Sequence, residues 1–247
     1  MKNKKNLLIL GSSSGIGLNL AKFYYKKRNS FNLILVSKDK KKISIYNKLF
    51  KGIEPIFFDL RNFEKYEFLF NKIIKKYGKI DFCVHSAGIH KINSIKSLST
   101  KDLSEMVDIN LKSPIYLSKF IANIEYFSRP SSILFISSVM GIVGEPGQVL
   151  YSSTKSGLYG LVKSLSVELS KYKIRVNCIS PGIIDSPLYE KYSSQIVNTT
   201  NDKYISKHPL GIGSFEDLNN LIQFLLSDRS RWITGQNYII DGGYSIN

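Results

Sequence analysis

The sequence predicts an α/β fold, a doubly wound parallel sheet of seven strands in a single domain with helices on both faces. Three observations predict it. Seven short apolar runs recur along the 247 residues, most of them separated by roughly 15–35 residues with helix-spaced apolar positions, and a glycine-rich turn joins the first run directly to a helix.

The runs are residues 7–10, 33–36, 56–58, 82–84, 133–136, 176–179 and 238–240. Each has strand length, and continuous apolar character suits a strand covered on both faces. Helical spacing marks residues 16–27, 64–77, 101–123, 150–171 and 215–226. In the fourth, Leu158, Leu161, Val162, Leu165 and Leu169 recur at i, i+3, i+4 spacing. Ligands of such sheets bind outside the carboxyl ends of the strands.

Composition narrows the function. With 43% hydrophobic residues and no linker or repeat, residues 1–247 form one domain with a sizeable core. No apolar run approaches the roughly 20 residues of a membrane span, and Met1-Lys2-Asn3-Lys4-Lys5 leads into only Leu7 to Leu10, so neither a membrane segment nor a secretory signal is expected. Cys83 and Cys178 sit in apolar stretches as buried thiols of a reduced compartment, which points to the cytoplasm. His85, His90 and His208 lack metal-ligand spacing, and no metal is expected. The net charge of +16 would suit nucleic acid, but the lysines are scattered, so no nucleic-acid surface is expected. The densest basic run is Lys38-Asp39-Lys40-Lys41-Lys42.

The turn Gly11-Ser12-Ser13-Ser14-Gly15-Ile16-Gly17 carries the first chemistry. Glycines permit a tight turn and close backbone approach to a pyrophosphate, which then meets N–H groups and the positive end of a helix dipole. With Asp59-Leu60, Ser86-Ala87-Gly88, Asn110, Ser137-Ser138, Tyr151-Ser-Ser-Thr-Lys155, Pro181-Gly182 and Asp241-Gly242-Gly243 following in order, essentially the whole chain resembles the short-chain dehydrogenase/reductase family. In length and motif order it is most similar to the β-ketoacyl-acyl-carrier-protein reductases. The resemblance implies a Rossmann-type sheet with strand order 3-2-1-4-5-6-7.

The Tyr151 and Lys155 spacing has meaning apart from the resemblance. Four residues apart on a helix, the two share a face. Reducing a ketone needs a proton for the developing alkoxide, and an ammonium beside a phenol favours the phenolate, easing proton exchange near neutrality. Such pairs also arise by chance, as with Tyr24 and Arg28. Ser138, at the end of run 133–136, supplies a hydroxyl for the substrate oxygen. The resemblance prefers Ser138 to Ser137, gives Lys155 a second role at the nicotinamide ribose, and makes Asn110 the brace of a water leading to Lys155. A mid-helix amide bonding backbone is the plain alternative for Asn110.

The cofactor assignments follow the resemblance. Gly11, Ser12, Ser13, Ser14, Gly15, Ile16 and Gly17 cradle the pyrophosphate. Lys38 stands where NADP-preferring relatives often carry a base, so NADP is expected, with Asp39 and NAD as the alternative and a solvated loop as the plain one. Asp59 accepts from the adenine amino group, or simply caps a helix, and Leu60 offers its backbone. Ser86, Ala87 and Gly88 line the cofactor, although His85-Ser86 replaces the family's paired asparagines, and His85 is a structural substitute. Pro181, Gly182 and Ile184 wall the nicotinamide, Ser186 keeps a hydroxyl where threonine is common, and residues 188–210 form the substrate lid.

The substrate implied is a small-molecule or carrier-bound carbonyl, first a 3-oxoacyl thioester on acyl carrier protein. Arg129, Lys171 and Lys173 are candidate contacts for that acidic carrier. A keto-sugar or other small carbonyl is the second reading, and an NADP-sensing binding protein the third. Helices 101–123 and 150–171, with residues 238–247, would join a homotetramer, or a dimer.

Overall fold

The computed structural model describes residues 4–186 and 206–246. Strands β1 (Lys5–Leu10), β2 (Phe31–Ser37), β3 (Ile56–Phe57), β4 (Ile80–His85), β5 (Phe127–Ile136), β6 (Ile174–Pro181) and β7 (Asn237–Ile240) form one sheet. All pairings are parallel and the order is β3-β2-β1-β4-β5-β6-β7. The expected fold class and strand order therefore stand.

Helices cover both faces: α1 (Gly15–Tyr25), α2 (Ile43–Leu49), α3 (Tyr66–Tyr77), α4 (Thr100–Val107), α5 (Ser113–Ile121), α6 (Val149–Ser170) and α7 (Phe215–Leu226). The period of two along each strand divides the core. Leu7, Ile9, Leu33, Leu35, Leu134, Ile136 and Ile179 meet α1, α7 and Tyr46 of α2. Leu8, Leu10, Ile34, Val36, Ile133, Phe135 and Val176 meet α3, α5 and α6 on the opposite face. Each apolar run is continuous because both alternating sets are buried.

The expected helix 101–123 is broken in the middle. Residues Asp108–Lys112 form a π turn in which Ser113 N–H reaches back five residues to Asp108 O. Pro114 supplies the reason: it has no N–H to give Asn110 O four residues earlier, and its ring crowds that carbonyl, so the backbone widens there. The expected helix 64–77 begins as a short tight turn, Phe63–Lys65, before α3. Lys40–Lys42, for which a solvated loop is the plain alternative, form a tight turn, and α2, which the helical spacing does not mark, follows it, held down by buried Tyr46. Strand β5 starts well before residue 133 because Phe127 is buried against the core, although Ser128, Arg129 and Pro130 interrupt the apolar pattern.

Both cysteines are buried thiols. Among the described residues, no helix is long and apolar enough to cross a membrane, and no group of three His, Cys, Asp or Glu side chains could hold a metal. Residues 188–205 of the expected lid lie outside the described residues.

Candidate active site

The sheet reverses its winding between β1 and β4, and the loops after β1, β4, β5 and β6 gather at that carboxyl end. The glycine loop is built by packing as much as by conformation. Gly11 has φ +89°, and a Cβ there would lie 2.5 Å from Ala87 N. At Gly17 a Cβ would overlap Gly11 O and Ser86 Oγ. Gly15, with φ +51°, differs: a Cβ there meets nothing within 4 Å, so its outer side is open. No side chain caps α1 at Ser14, which leaves the helix start suited to an anion. A pyrophosphate fits this loop.

The three serines divide the work. Ser12 is buried, with Oγ donating to Val36 O (3.0 Å) and sharing a 2.8 Å hydrogen bond with Tyr46 Oη. Ser13 offers its carbonyl to Lys42 Nζ at 2.9 Å, and Ser14 is exposed. Ser86 Oγ donates to Leu10 O at 2.8 Å and so ties β4 to β1 beneath Gly17. His85, on the same strand end, is buried and shares a 2.9 Å hydrogen bond with Ser113 Oγ. Burial, with Lys155 adding to it, lowers the His85 pKa to about 3, so the ring is a neutral brace between β4 and α5.

Just after β2, Lys38 is exposed and its charge helps lower the Asp59 pKa, a shift caused chiefly by hydrogen bonds from Arg61. Asp59 caps no helix. It accepts Arg61 N at 3.0 Å and pairs with the Arg61 guanidinium at 2.6 Å. Leu60 O accepts Tyr66 Oη at 3.0 Å. Asp39 accepts Lys41 N at 3.1 Å and lies 4.0 Å from Lys42 Nζ. Lys42 was hidden in the sequence among its neighbours, and it is the cation of this run that touches the phosphate loop.

The reaction end rests on α6. Tyr151, Lys155 and Tyr159 fall at i, i+4 and i+8 of this helix. Lys155 is buried, donates to Ile136 O at 2.8 Å, and has Nζ 5.7 Å from the Tyr151 ring centre. Burial lowers its pKa to about 8, which keeps it mostly charged at neutrality. The two serines after β5 separate clearly. Ser137 is buried and donates to Lys155 O at 2.9 Å, whereas Ser138 is half-buried and accepts Met140 N at 3.2 Å. Tyr159 Oη donates to Ser138 O (3.1 Å) and lies 3.0 Å from Ser180 Oγ, so it links β5, β6 and α6. Its helical phase with Tyr151 was the signal available in the sequence.

Asn110 lies in the π turn. Its Oδ1 accepts Ile89 N at 2.9 Å, and its Nδ2 donates to Ile89 O (2.9 Å) and Thr154 Oγ1 (3.2 Å). A Cβ on Gly88 would lie 3.3 Å from Lys155 Nζ and 3.4 Å from Asn110 Oδ1, so all three border one small space. Pro181 is buried, and a Cβ on Gly182 would collide with Asp241 Cα at 2.8 Å. Ile184 bridges to Gly213, and Ser186 closes the first described segment. Beyond the undescribed residues, His208 Nε2 accepts Ile183 N at 3.4 Å, and Glu145 accepts from Lys207 Nζ (2.5 Å) and Tyr244 Oη (2.6 Å).

Arg129 is half-buried. Its guanidinium lies 3.6 Å from the Tyr172 ring centre and donates to Ala122 O at 3.3 Å. Lys171 and Lys173 are exposed.

The chain is similar to known proteins over nearly its whole length. Residues 11–245 match the family model described as enoyl-(acyl carrier protein) reductase. The 3-oxoacyl-(acyl-carrier-protein) reductase FabG of Thermotoga maritima is 31% identical, with 98% of each chain covered. Among solved structures, 4-hydroxyisoleucine dehydrogenase complexed with NADH is similar with a TM-score of 0.88 and 32% identity, over 99% of this chain and 100% of that one. ElxO with NADP bound is similar with a TM-score of 0.86 and 30% identity, over 98% of this chain and 99% of that one.

Proposed function

Because the chain belongs to the short-chain dehydrogenase/reductase family, we propose that it uses NADPH to reduce the ketone of a 3-oxoacyl thioester carried on acyl carrier protein. Family membership makes it an NAD(P)-dependent oxidoreductase acting between CH–OH and C=O. The observation that carries the chemistry is the presence of Tyr151 and Lys155 on one face of α6, beside the Ser138 turn and Gly88.

When bound, the nicotinamide supplies hydride. Everything else falls to side chains of this chain. Tyr151 Oη gives its proton to the substrate oxygen, and Ser138 Oγ donates a hydrogen bond to that oxygen as charge develops. The Lys155 ammonium stabilises the phenolate left behind and holds the nicotinamide ribose. Asn110 braces the water beside Gly88 through which Lys155 exchanges protons. The glycine loop from Gly11 to Gly17 holds the pyrophosphate, with Ala87 and Ser86 beneath it. Asp59 and Leu60 meet the adenine, while Pro181, Gly182, Ile184 and Ser186 flank the nicotinamide.

NADP is favoured over NAD by the cations Lys38 and Lys42 beside the ribose site, since Asp39 is engaged by Lys41 N. Similar structures hold either cofactor, ElxO with NADP or NADPH bound and 4-hydroxyisoleucine dehydrogenase with NADH, so the choice for this chain rests on these lysines. We infer a cytoplasmic homotetramer. A small-carbonyl or keto-sugar reductase is the second reading, favoured by Arg129, which packs on Tyr172 instead of presenting an open cation to a carrier.

The test is NADPH oxidation measured against 3-oxoacyl carrier thioesters, coenzyme A thioesters and keto-sugars. Carrier thioesters turned over with the highest kcat/KM support the proposal. Preference for a keto-sugar replaces it with the second reading, and cofactor binding without any turnover leaves a sensor.

A further inference from the structure

The loop after β4 lays a histidine ring against the proposed proton donor. The His90 and Tyr151 ring centroids are 4.3 Å apart at an interplanar angle of 49°. His90 Nε2 lies 2.7 Å from Gln148 Oε1. An amide oxygen only accepts, so Nε2 carries the hydrogen. Gln148 is buried and begins α6, and its carbonyl accepts Ser152 N at 2.7 Å. It is therefore fixed to the same first turn that carries Tyr151.

The other side of the histidine is also fixed. Asn110 holds both the N–H and the C=O of Ile89, the residue before His90. The imidazole is thus clamped between the π turn and the first turn of α6. Burial, with Lys155 adding to it and the Gln148 bond opposing, lowers its pKa, so the ring packs against the phenol without a charge of its own near neutrality.

We propose that His90 is a positioning residue, which together with Gln148 sets the ring angle at which Tyr151 Oη meets the substrate oxygen. The inference rests on the reading of Tyr151 as proton donor. Proton transfer is sensitive to placement, and an error of about 1 Å can cost on the order of 100-fold in rate.

The variants His90→Ala, His90→Phe and Gln148→Leu are compared with the parent after loading with NADPH. In His90→Ala, kcat should fall about 10-fold to 100-fold while KM for NADPH stays within about twofold. His90→Phe keeps a flat ring and should recover most of that loss, with Gln148→Leu between the two. A readout independent of substrate is the Cζ resonance of Tyr151 in protein carrying 13C-tyrosine, assigned by its disappearance in Tyr151→Phe. It should be a single line in the parent and in His90→Phe, and displaced or broadened in His90→Ala. A kcat for His90→Ala within about twofold of the parent, an equal loss in the alanine and phenylalanine variants, or an unmoved Tyr151 line overturns the proposal. If His90→Ala does not fold, His90→Gln, which keeps a polar group but no ring, takes its place with the same expected losses. If the parent reduces no carbonyl, the functional reading fails and the Tyr151 line alone decides the role of His90.

Discussion

Lys155 carries two opposed demands at a single residue. In the proposed mechanism the ammonium is charged to assist Tyr151, yet it is buried, and its pKa falls from 10.5 to about 8. A lowered lysine pKa means that the folded state binds the proton more weakly than the unfolded state. This penalty is fully present below pH 8 and is relieved between about 8 and 10.5, so the contribution of this group to stability rises with pH across that window. Cofactor-free Lys155→Met should therefore melt at or above the parent temperature at pH 7, with the difference shrinking toward pH 10.5. Melting well below the parent at pH 7 would mean that the Ile136 hydrogen bond outweighs desolvation. The same variant should lose turnover and cofactor affinity together, whereas Tyr151→Phe should lose at least about 100-fold in turnover with affinity little changed. At the other end of the cofactor, Lys38→Ala and Lys42→Ala should each reduce NADPH affinity about 10-fold relative to NADH, the scale of one charge-assisted hydrogen bond. Titrations that give the same ratio for parent and variants would remove the lysines from the phosphate site.

Elements matter where two of them touch. The glycine loop separates two roles that the spacing alone merges. Gly17 faces Gly11 O and Ser86 Oγ, so Gly17→Ala forces backbone apart and should cost about 1–3 kcal/mol of stability, seen as a lower melting temperature before any cofactor is added. Gly15 faces open space, and Gly15→Ala should cost about 1 kcal/mol for its positive φ while weakening cofactor binding more strongly. Equal melting temperatures with equal affinities in the two variants would contradict this division. The π turn at Asp108–Lys112 shows the same interdependence. It is produced by Pro114 within the helical segment, and it sets Asn110 against Ile89 of a different loop.

For the whole molecule, surface chemistry decides partners. Large apolar side chains remain exposed on the outer helices and near the C-terminus, with Val167 77% exposed on α6 and Trp232 91% exposed. An exposed apolar side chain on the outer face of a long helix is a place where two copies of a chain can pack. Val167→Glu should lower the mass measured by sedimentation if α6 joins subunits, and an unchanged mass would move the interface elsewhere. If the substrate is borne by an acidic carrier, exposed Lys171 and Lys173 are better placed to meet it than half-buried Arg129, whose guanidinium packs on Tyr172 and donates to Ala122 O. Charge reversal of both lysines should raise KM for a carrier-bound substrate several-fold, on the order of 1 kcal/mol, and leave a free thioester analogue unaffected. Added salt should reproduce the effect through screening. Indifference of both substrates to the lysines and to salt would favour the small-carbonyl reading.

The sequence by itself determined the sheet, the glycine turn into α1 and the helix face shared by Tyr151 and Lys155, because each is written in local pattern. Strands buried on both faces are apolar throughout, a strand-to-helix turn at a phosphate needs glycine, and two side chains four apart share a helix face. The tertiary structure decided what depends on contacts between distant segments. It separated buried Ser137, bonded to Lys155 O, from half-buried Ser138, and singled out Lys42 within the basic run by its bond to Ser13 O. It also bent the helix around Asn110 and brought His90 against Tyr151, 61 positions away in the chain (151 minus 90). Composition could not reveal these choices, since neighbouring residues of the same type differ only in which packed element they face.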